Sequence, residues 1–257
     1  MSITTTFKRS VKRTLSWMPV TVQRTIEAIR WELTQREDWR FEWVPRREFF
    51  RNAMFAISFN GIDGDYAEFG CWGAMTFTLA YRESRRYELD LRLWAFDSFC
   101  GLPRKRCDQD DHPCWSEGGF AMSLEQFNAV LDWRRVPRSA YEVVPGYYDV
   151  TLAAGIPPRA LPTNLCMAYI DCDLYSSSLE VLRFLLPRLK HGMIIAFDDY
   201  YCYSSTQLSG ERRAYLEIFD GNPDWLLVPY MQFGWAGMSF VVENRKLESK
   251  LPLSADP

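Results

Sequence analysis

Residues 166–173 read CMAYIDCD and residues 193–199 read MIIAFDD. Both are short apolar runs that read as buried strands, and both end in acids. As neighbours in a parallel sheet, their carboxyl ends would lie roughly 5 Å apart. Asp171, Asp173, Asp198 and Asp199 could then converge on one hard cation, and an oxygen-only donor set suits Mg²⁺ or a similar divalent ion. The plain alternative makes Asp171 and Asp198 caps of the turns that follow. Acids at both strand ends, doubled at Asp198-Asp199, favour the cation.

Outward from these two runs, short apolar stretches alternate with helical patterns from Asp65 onward. The strand candidates are DYAEF, LRLWAF, YEVV, CMAYID, MIIAF, WLLVPY and MSFVV. Between them lie helices over Ala74 to Tyr81, after a Ser123 cap with Gln126 in the capping-box position, and over Ser177 to Leu189. Such alternation predicts an α/β fold with a mostly parallel sheet covered on both faces. Residues 1–60 read as a helical extension. Val22, Ile26, Ile29 and Leu33 share one helix face; Phe49, Phe50, Ala53, Met54 and Ile57 share another, with Pro45 in the first turn of that second helix. Lys8, Arg9, Lys12 and Arg13 beside Phe7, Val11 and Leu15 could lie on an anionic membrane surface, but a frayed, solvated start is the favoured reading. Residues 61–246 form the main domain and 247–257 a loose tail.

Composition narrows the partners. A formal net charge of −3 gives no basic footprint for nucleic acid. No run of 18 apolar residues predicts a membrane span, and no signal peptide is read. Seven cysteines, an odd number, suit reduced thiols and a cytoplasmic setting. Cys100, Cys107 and Cys114, near His112, lack the spacing of a structural zinc site.

Two further motifs lie at strand ends. The first strand runs into Glu68-Phe69-Gly70-Cys71-Trp72-Gly73, where glycines let backbone approach a ligand and the next helix aims its N–H groups at an anionic part of it. A plain tight turn is the competing reading, because the full G-x-G-x-x-G spacing is absent. The second strand ends in Asp97-Ser98, where a carboxylate can accept both hydroxyls of a ribose. Together they favour a nucleoside-bearing ligand. Of the two histidines, His191 is expected at a helix C-terminus. His112, in a polar loop, is the one placed to act as a general base, and a solvated loop histidine fits the same position equally well.

In their order and wording, DGDYAEFG, FDSFCGLP, W-x-x-G-G-F with Ser123, PGYYDVTL, IDCDLYSSS and the run from Gly192 to DDY resemble the macrocin O-methyltransferase (TylF/MycF-like) family of metal-dependent S-adenosylmethionine methyltransferases. The resemblance covers about residues 61–220. It implies a doubly wound, seven-stranded, Rossmann-like class I methyltransferase sheet whose last two strands form an antiparallel hairpin. It also implies that Glu68, Phe69, Gly70, Trp72 and Gly73 face the methionine half of the cofactor. Asp97 and Ser98 would take the ribose, and Gly119, Phe120 and Ser123 would lie near the adenine. Asp171, Asp198 and Asp199 match the family's metal ligands, and Asp173 is expected to hold local structure. Here Gly73-Ala74-Met75 has one glycine where the family commonly shows two small residues, and His191-Gly192 replaces a glycine pair.

The expected reaction is methyl transfer from S-adenosylmethionine to a hydroxyl of a small molecule of sugar or natural-product type, with Asp171 at the reacting oxygen's ion and His112 or water as base. A homo-oligomer is left open. Two rivals stand beside it: a metal-dependent glycosyltransferase using Asp171 and Asp173 as a D-x-D, and a methyltransferase-like domain that binds without turnover.

Overall fold

The structure is a computed structural model in which residues 20–152 and 161–248 are described, those from 20 to 39 by backbone alone. Helix α1 spans Val20–Phe59. It runs through Pro45, which was expected to open a second helix. Proline removes one backbone donor there, and the division between two compact units, residues 1–45 and 46–257, falls at the same residue. The faces proposed for residues 7–15 and for Val22 to Leu33 lie outside the described side chains. Phe49, Phe50, Ala53, Met54 and Ile57 are buried as their spacing predicts, so the end of the expected extension belongs to the core of the second unit.

The second unit continues with β1 (Asp65–Phe69), α2 (Met75–Arg86), β2 (Leu93–Asp97), α3 (Leu124–Trp133), β3 (Tyr141–Pro145), α4 (Tyr148–Thr151), β4 (Leu165–Ile170), α5 (Tyr175–Leu185), β5 (Ile194–Phe197), α6 (Gly210–Phe219), β6 (Trp225–Phe233), β7 (Gly237–Asn244) and α7 (Arg245–Glu248). All seven strand candidates are strands. They form one sheet in the order β3-β2-β1-β4-β5-β7-β6. The first five are parallel, while β7 runs antiparallel between β5 and β6.

Side chains alternate along each strand, and the sheet has a core on both faces. Tyr66, Tyr169 and Ala196 face α1, α2 and α3, packing with Phe50, Phe77 and Phe127. Ala67, Phe69, Ile170 and Phe197 face α5 and α6, packing with Leu182, Phe184 and Ala214. Helix α3 starts at the expected capping box, in which Ser123 accepts from the Gln126 N–H and the Gln126 side chain accepts from the Ser123 N–H. Helix α5 gives way at Leu186 to a 3₁₀ turn, one residue before Pro187, so the helix expected to reach Leu189 is shorter.

Strand order reverses at β1, with β2 on one side and β4 on the other. In open α/β sheets the crevice at such a switch point, beyond the carboxyl ends of the strands, is where ligands bind. The glycine turn after β1 and the acids after β2, β4 and β5 all lie along that edge.

Candidate active site

Gly70 shows why the β1 turn needs glycine. Its φ is +91°, and a Cβ there would stand 1.8 Å from the Asp171 carbonyl oxygen. The ends of β1 and β4 therefore meet backbone to backbone, with the Asp171 N–H donating to the Phe69 carbonyl at 2.8 Å. The next turn contains Gly73 at φ 74° and Ala74 at φ 53°. Alanine thus occupies a left-handed position that glycine fills with less strain. Phe69 itself is core, stacked on Phe96 at 4.7 Å, so only its backbone is available to a ligand.

Glu68 points into the sheet face covered by α1 and α2. It is wholly buried and accepts hydrogen bonds from the Tyr66 hydroxyl and, at 2.9 Å, from Thr76 Oγ1. Burial pushes its carboxyl up to about 8, against the two hydroxyl donors. Asp97 ties the second strand end to the glycine turn, for Oδ2 accepts from the Cys71 N–H at 2.6 Å and Oδ1 from the Phe99 N–H at 2.7 Å. Burial raises its pKa also. Ser98 Oγ donates to the Gly101 carbonyl at 2.8 Å.

The loop from Phe99 returns to this edge through Leu102, whose N–H donates to the Gly119 carbonyl at 2.9 Å. That return brings Phe120 against Trp72, ring edge to ring face at 5.5 Å, and both are large exposed aromatics. The residues expected to form the cofactor side, Glu68 to Gly73, Asp97, Ser98, Gly119 and Phe120, are therefore neighbours in space, with Ser123 close behind as the cap of α3.

At the other half of the edge, oxygens of Asp171, Asp173 and Asp199 lie within 4.8 Å of one another. The expected set was Asp171, Asp198 and Asp199. Asp198 is instead gripped by Arg46, with Nε to Oδ1 at 2.9 Å and Nη2 to Oδ2 at 2.6 Å, and the Tyr169 hydroxyl also donates to Oδ1. Asp173, expected to hold local structure, enters the cluster because its backbone is left-handed, at φ 61°, a conformation that Asp tolerates better than most residues.

These carboxyls do not ionise easily together. Burial first, then the charges of Asp198 and Asp199, raise Asp171 well above the usual carboxylate range. Burial and the Asp199 charge do the same to Asp173. Burial and Asp198 push Asp199 up to about 6. Asp199 Oδ1 also accepts from the Cys202 thiol at 3.0 Å. Glu211 lies behind the cluster, its two oxygens accepting the Cys172 N–H at 3.1 Å and the Asp199 N–H at 2.9 Å. It fixes the ends of β4 and β5 together, and burial raises it as well. Three crowded, partly protonated carboxyls are a donor set that a hard divalent cation fits, since the ion would replace the protons and remove the repulsion.

The sign of the pH dependence follows. A carboxyl whose native pKa is raised binds more protons folded than unfolded, so its contribution to stability is complete below its ordinary value and is lost as pH rises through the native one. For Asp199 that interval runs from 3.8 to about 6; for Glu68 it runs from 4.5 to about 8. In EDTA the melting temperature is expected to fall from pH 5 to pH 8 by calorimetry, and added Mn²⁺ should restore more of it at pH 8 than at pH 5. A melting temperature that climbs over this range would contradict the assignment.

His112 is less available than its loop position suggests. Its ring lies over Trp115 with centroids 4.0 Å apart, and Nδ1 accepts the Cys114 N–H at 3.2 Å. Burial lowers its pKa, against a hydrogen bond to the Tyr203 backbone. The loop is pinned by Asp110, which accepts from the Ser176 N–H at 2.8 Å and from Ser176 Oγ at 2.9 Å. His191 lies in the turn before β5, beyond the end of α5 and its 3₁₀ turn, with Nδ1 accepting the Asn244 N–H at 3.3 Å. Arg46, Tyr169, Asp110 and Glu211 were not expected at this edge. Glu211 stands in the first turn of α6 behind the Ser209 cap, where an acid reads as a helix-dipole partner.

The same architecture occurs in the solved O-methyltransferase NovP, with TM-score 0.59, 23% identity and coverage of 79% of this chain and 81% of that one. It occurs also in the calicheamicin methyltransferase CalS11, with TM-score 0.60, 20% identity and coverage of 94% and 93%. The fold is thus that of the class I O-methyltransferases. Residues 44–215 match the model of the macrocin-O-methyltransferase (TylF) family, and the chain belongs to that family.

Among curated relatives, a Streptomyces olivaceus 8-demethyl-8-(2,3-dimethoxy-alpha-L-rhamnosyl)-tetracenomycin-C 4'-O-methyltransferase is 31% identical over 166 residues, 61% of this chain and 60% of the relative. The Micromonospora griseorubida mycinamicin III 3''-O-methyltransferase is 29% identical over 158 residues, 55% and 57% respectively. The matched region spans 60% and 57% of the length of these two relatives. Among the described residues no helix is long and apolar enough to cross a membrane.

Proposed function

We propose that the protein transfers a methyl group from S-adenosylmethionine to a hydroxyl of a sugar or sugar-bearing small molecule, with a divalent cation, Mg²⁺ or a similar ion, at the acceptor side. The observation that carries the reading is the meeting, on one sheet edge of a TylF-family chain, of the Gly70 turn with the carboxyls of Asp171, Asp173 and Asp199. The acceptor class rests on relatives whose names specify a rhamnosyl 4'-oxygen and the 3''-oxygen of mycinamicin III.

In this reading, Glu68 braces the turn from Gly70 to Gly73 beside the methionine half of the cofactor. Asp97, with Ser98, takes the ribose hydroxyls through lone pairs that its two backbone donors leave over. Trp72 and Phe120 close over the cofactor's exposed side and help to exclude water, with Gly119 and Ser123 shaping the adenine end. Asp171 and Asp199 hold the cation, with Asp173 or Asp198 as the third carboxylate. The cation, when bound, lowers the pKa of the acceptor hydroxyl and orients it for in-line attack. The hydroxyl proton leaves to water, or to His112 once Nδ1 is released from the Cys114 N–H. A reducing, cytoplasmic setting is part of the proposal, in keeping with seven free thiols.

The test is release of S-adenosylhomocysteine from the protein given S-adenosylmethionine, Mg²⁺ and a panel of glycosylated and nucleotide-linked sugar acceptors. Turnover that EDTA removes and Mg²⁺ restores is expected. Turnover indifferent to EDTA would refute the metal, and failure to bind S-adenosylhomocysteine by calorimetry would refute methyl transfer. A UDP-sugar binding in its place would point back to the D-x-D rival.

A further inference from the structure

Methyl transfer as described gives no role to Arg46, the buried ion-pair partner of Asp198. Arg46 and Asp198 are 8% and 7% exposed, and Tyr169 is wholly buried. The guanidinium meets the carboxylate as a fork, one nitrogen to each oxygen, and the Tyr169 hydroxyl adds a third donor. Such an arrangement fixes the plane of the carboxylate as well as its position. Arg46 comes from α1, Tyr169 from β4, and Asp198 follows β5. The β6–β7 turn makes room for the fork, because a Cβ on Gly234 would stand 3.3 Å from Arg46 Nη1. Four elements thus converge on the orientation of one side chain.

Stability alone explains this poorly, since a buried ion pair is often no better for stability than apolar residues of the same shape. Position explains it better. The Asp198 N–H donates to the carbonyl of Ile170 at 2.9 Å, the residue just before Asp171, which is itself one of the three converging carboxyls. A carboxylate has about four lone-pair sites, and three donors leave one over.

We propose that Arg46, with Tyr169, is the positioning residue of the cation site: its fork sets the Asp198 carboxylate beside Asp171 before an ion arrives, so that the site is preorganised. The inference rests on the reading that this edge holds a divalent ion. It makes the Arg46 fork the reason that Asp198 stands ready at the site, and it gives α1 a share in ion binding.

The discriminating substitution is Arg46→Lys, because lysine keeps the charge and loses the planar fork. Calorimetric titration with Mn²⁺ alone, and separately with S-adenosylhomocysteine, would be run on the wild type, Arg46→Lys and Tyr169→Phe. Loss of an outer-sphere partner typically weakens metal binding about 10- to 100-fold. Arg46→Lys is expected to lose Mn²⁺ affinity in that range and Tyr169→Phe to lose less, with S-adenosylhomocysteine affinity unchanged in both. Mn²⁺ binding by Arg46→Lys that equals or exceeds the wild type overturns the inference, as does a parallel loss of both ligands, which is what general damage to the fold would produce. Should Arg46→Lys not fold, Tyr169→Phe decides by the same criteria. A wild type that takes up no Mn²⁺ overturns the cation reading itself and this inference with it, an outcome separable from failure of the variants alone.

Discussion

Asp171→Asn is expected to lower cation-dependent methyl transfer by about 1,000-fold while raising the melting temperature of the ion-free protein. The loss would correspond to the several kcal/mol that a Lewis-acidic ion held there as proposed would supply, because the amide would offer the ion a weaker, uncharged ligand. The gain has the opposite origin. Asp171 carries no side-chain hydrogen bond among those described, and its ionisation is resisted by burial and by Asp198 and Asp199. An isosteric amide removes that repulsion without opening a cavity. A rise of about 2–4 °C at pH 8, the shift produced by roughly 1 kcal/mol in a chain of this size, should appear in calorimetry with EDTA. Turnover assays and calorimetry on one preparation check both halves. Retained turnover would remove Asp171 from the site, and a lowered melting temperature would mean that its charge is satisfied in the native state.

The neighbouring acid should behave in the reverse manner. Asp198→Ala is expected to cost about 3–5 kcal/mol, the typical penalty for removing one partner of a buried ion pair, because both acceptor atoms used by the Arg46 fork disappear and a buried guanidinium faces the gap. Burial alone would lower the Arg46 pKa, yet Asp198, Tyr169 and Asp171 outweigh it and leave it raised. Asp198→Ala removes the largest of those raising contributions, but a guanidinium is not deprotonated in proteins, so Arg46 keeps its charge in the variant and cannot relieve the penalty by losing a proton. Urea unfolding of the wild type and Asp198→Ala, both in EDTA, measures the difference. A cost below about 1 kcal/mol would show that the Arg46 charge is satisfied by another acid.

These opposite signs at adjacent acids were not legible in the sequence, and the reason is geometric. The strands were legible because each is a short apolar run bounded by turn residues or acids, and the sheet covered on both faces leaves little polar sequence inside them. Ser123 and Gln126 were legible because a capping box is a contact between residues three apart. Arg46 and Asp198 are 152 residues apart, and nothing local marks an arginine after Pro45 as a partner of a strand-end acid. Asp173 joins Asp171 and Asp199 through a left-handed backbone that a D-x-D spacing does not specify. Glu211 looks like an ordinary first-turn acid until the ends of β4 and β5 are found to donate to it. His112 shows the converse: a loop position suggests availability, but the Cys114 N–H and the Trp115 ring already occupy it.

The strand order β3-β2-β1-β4-β5-β7-β6 also fixes when the acids meet. Each parallel pairing waits for a crossover to close, and contacts distant in sequence form late in folding because their loop entropy is lost first. If the register of β4 and β5 is completed last, the crowded carboxyls would burden the native state and spare early collapsed states, which folding and unfolding rates of Asp171→Asn would test. Interactions absent from the transition state act chiefly on the rate of escape from the native basin. Occupancy of this edge by a cation would then lengthen the lifetime of the folded protein while leaving the speed at which the chain reaches it almost unchanged.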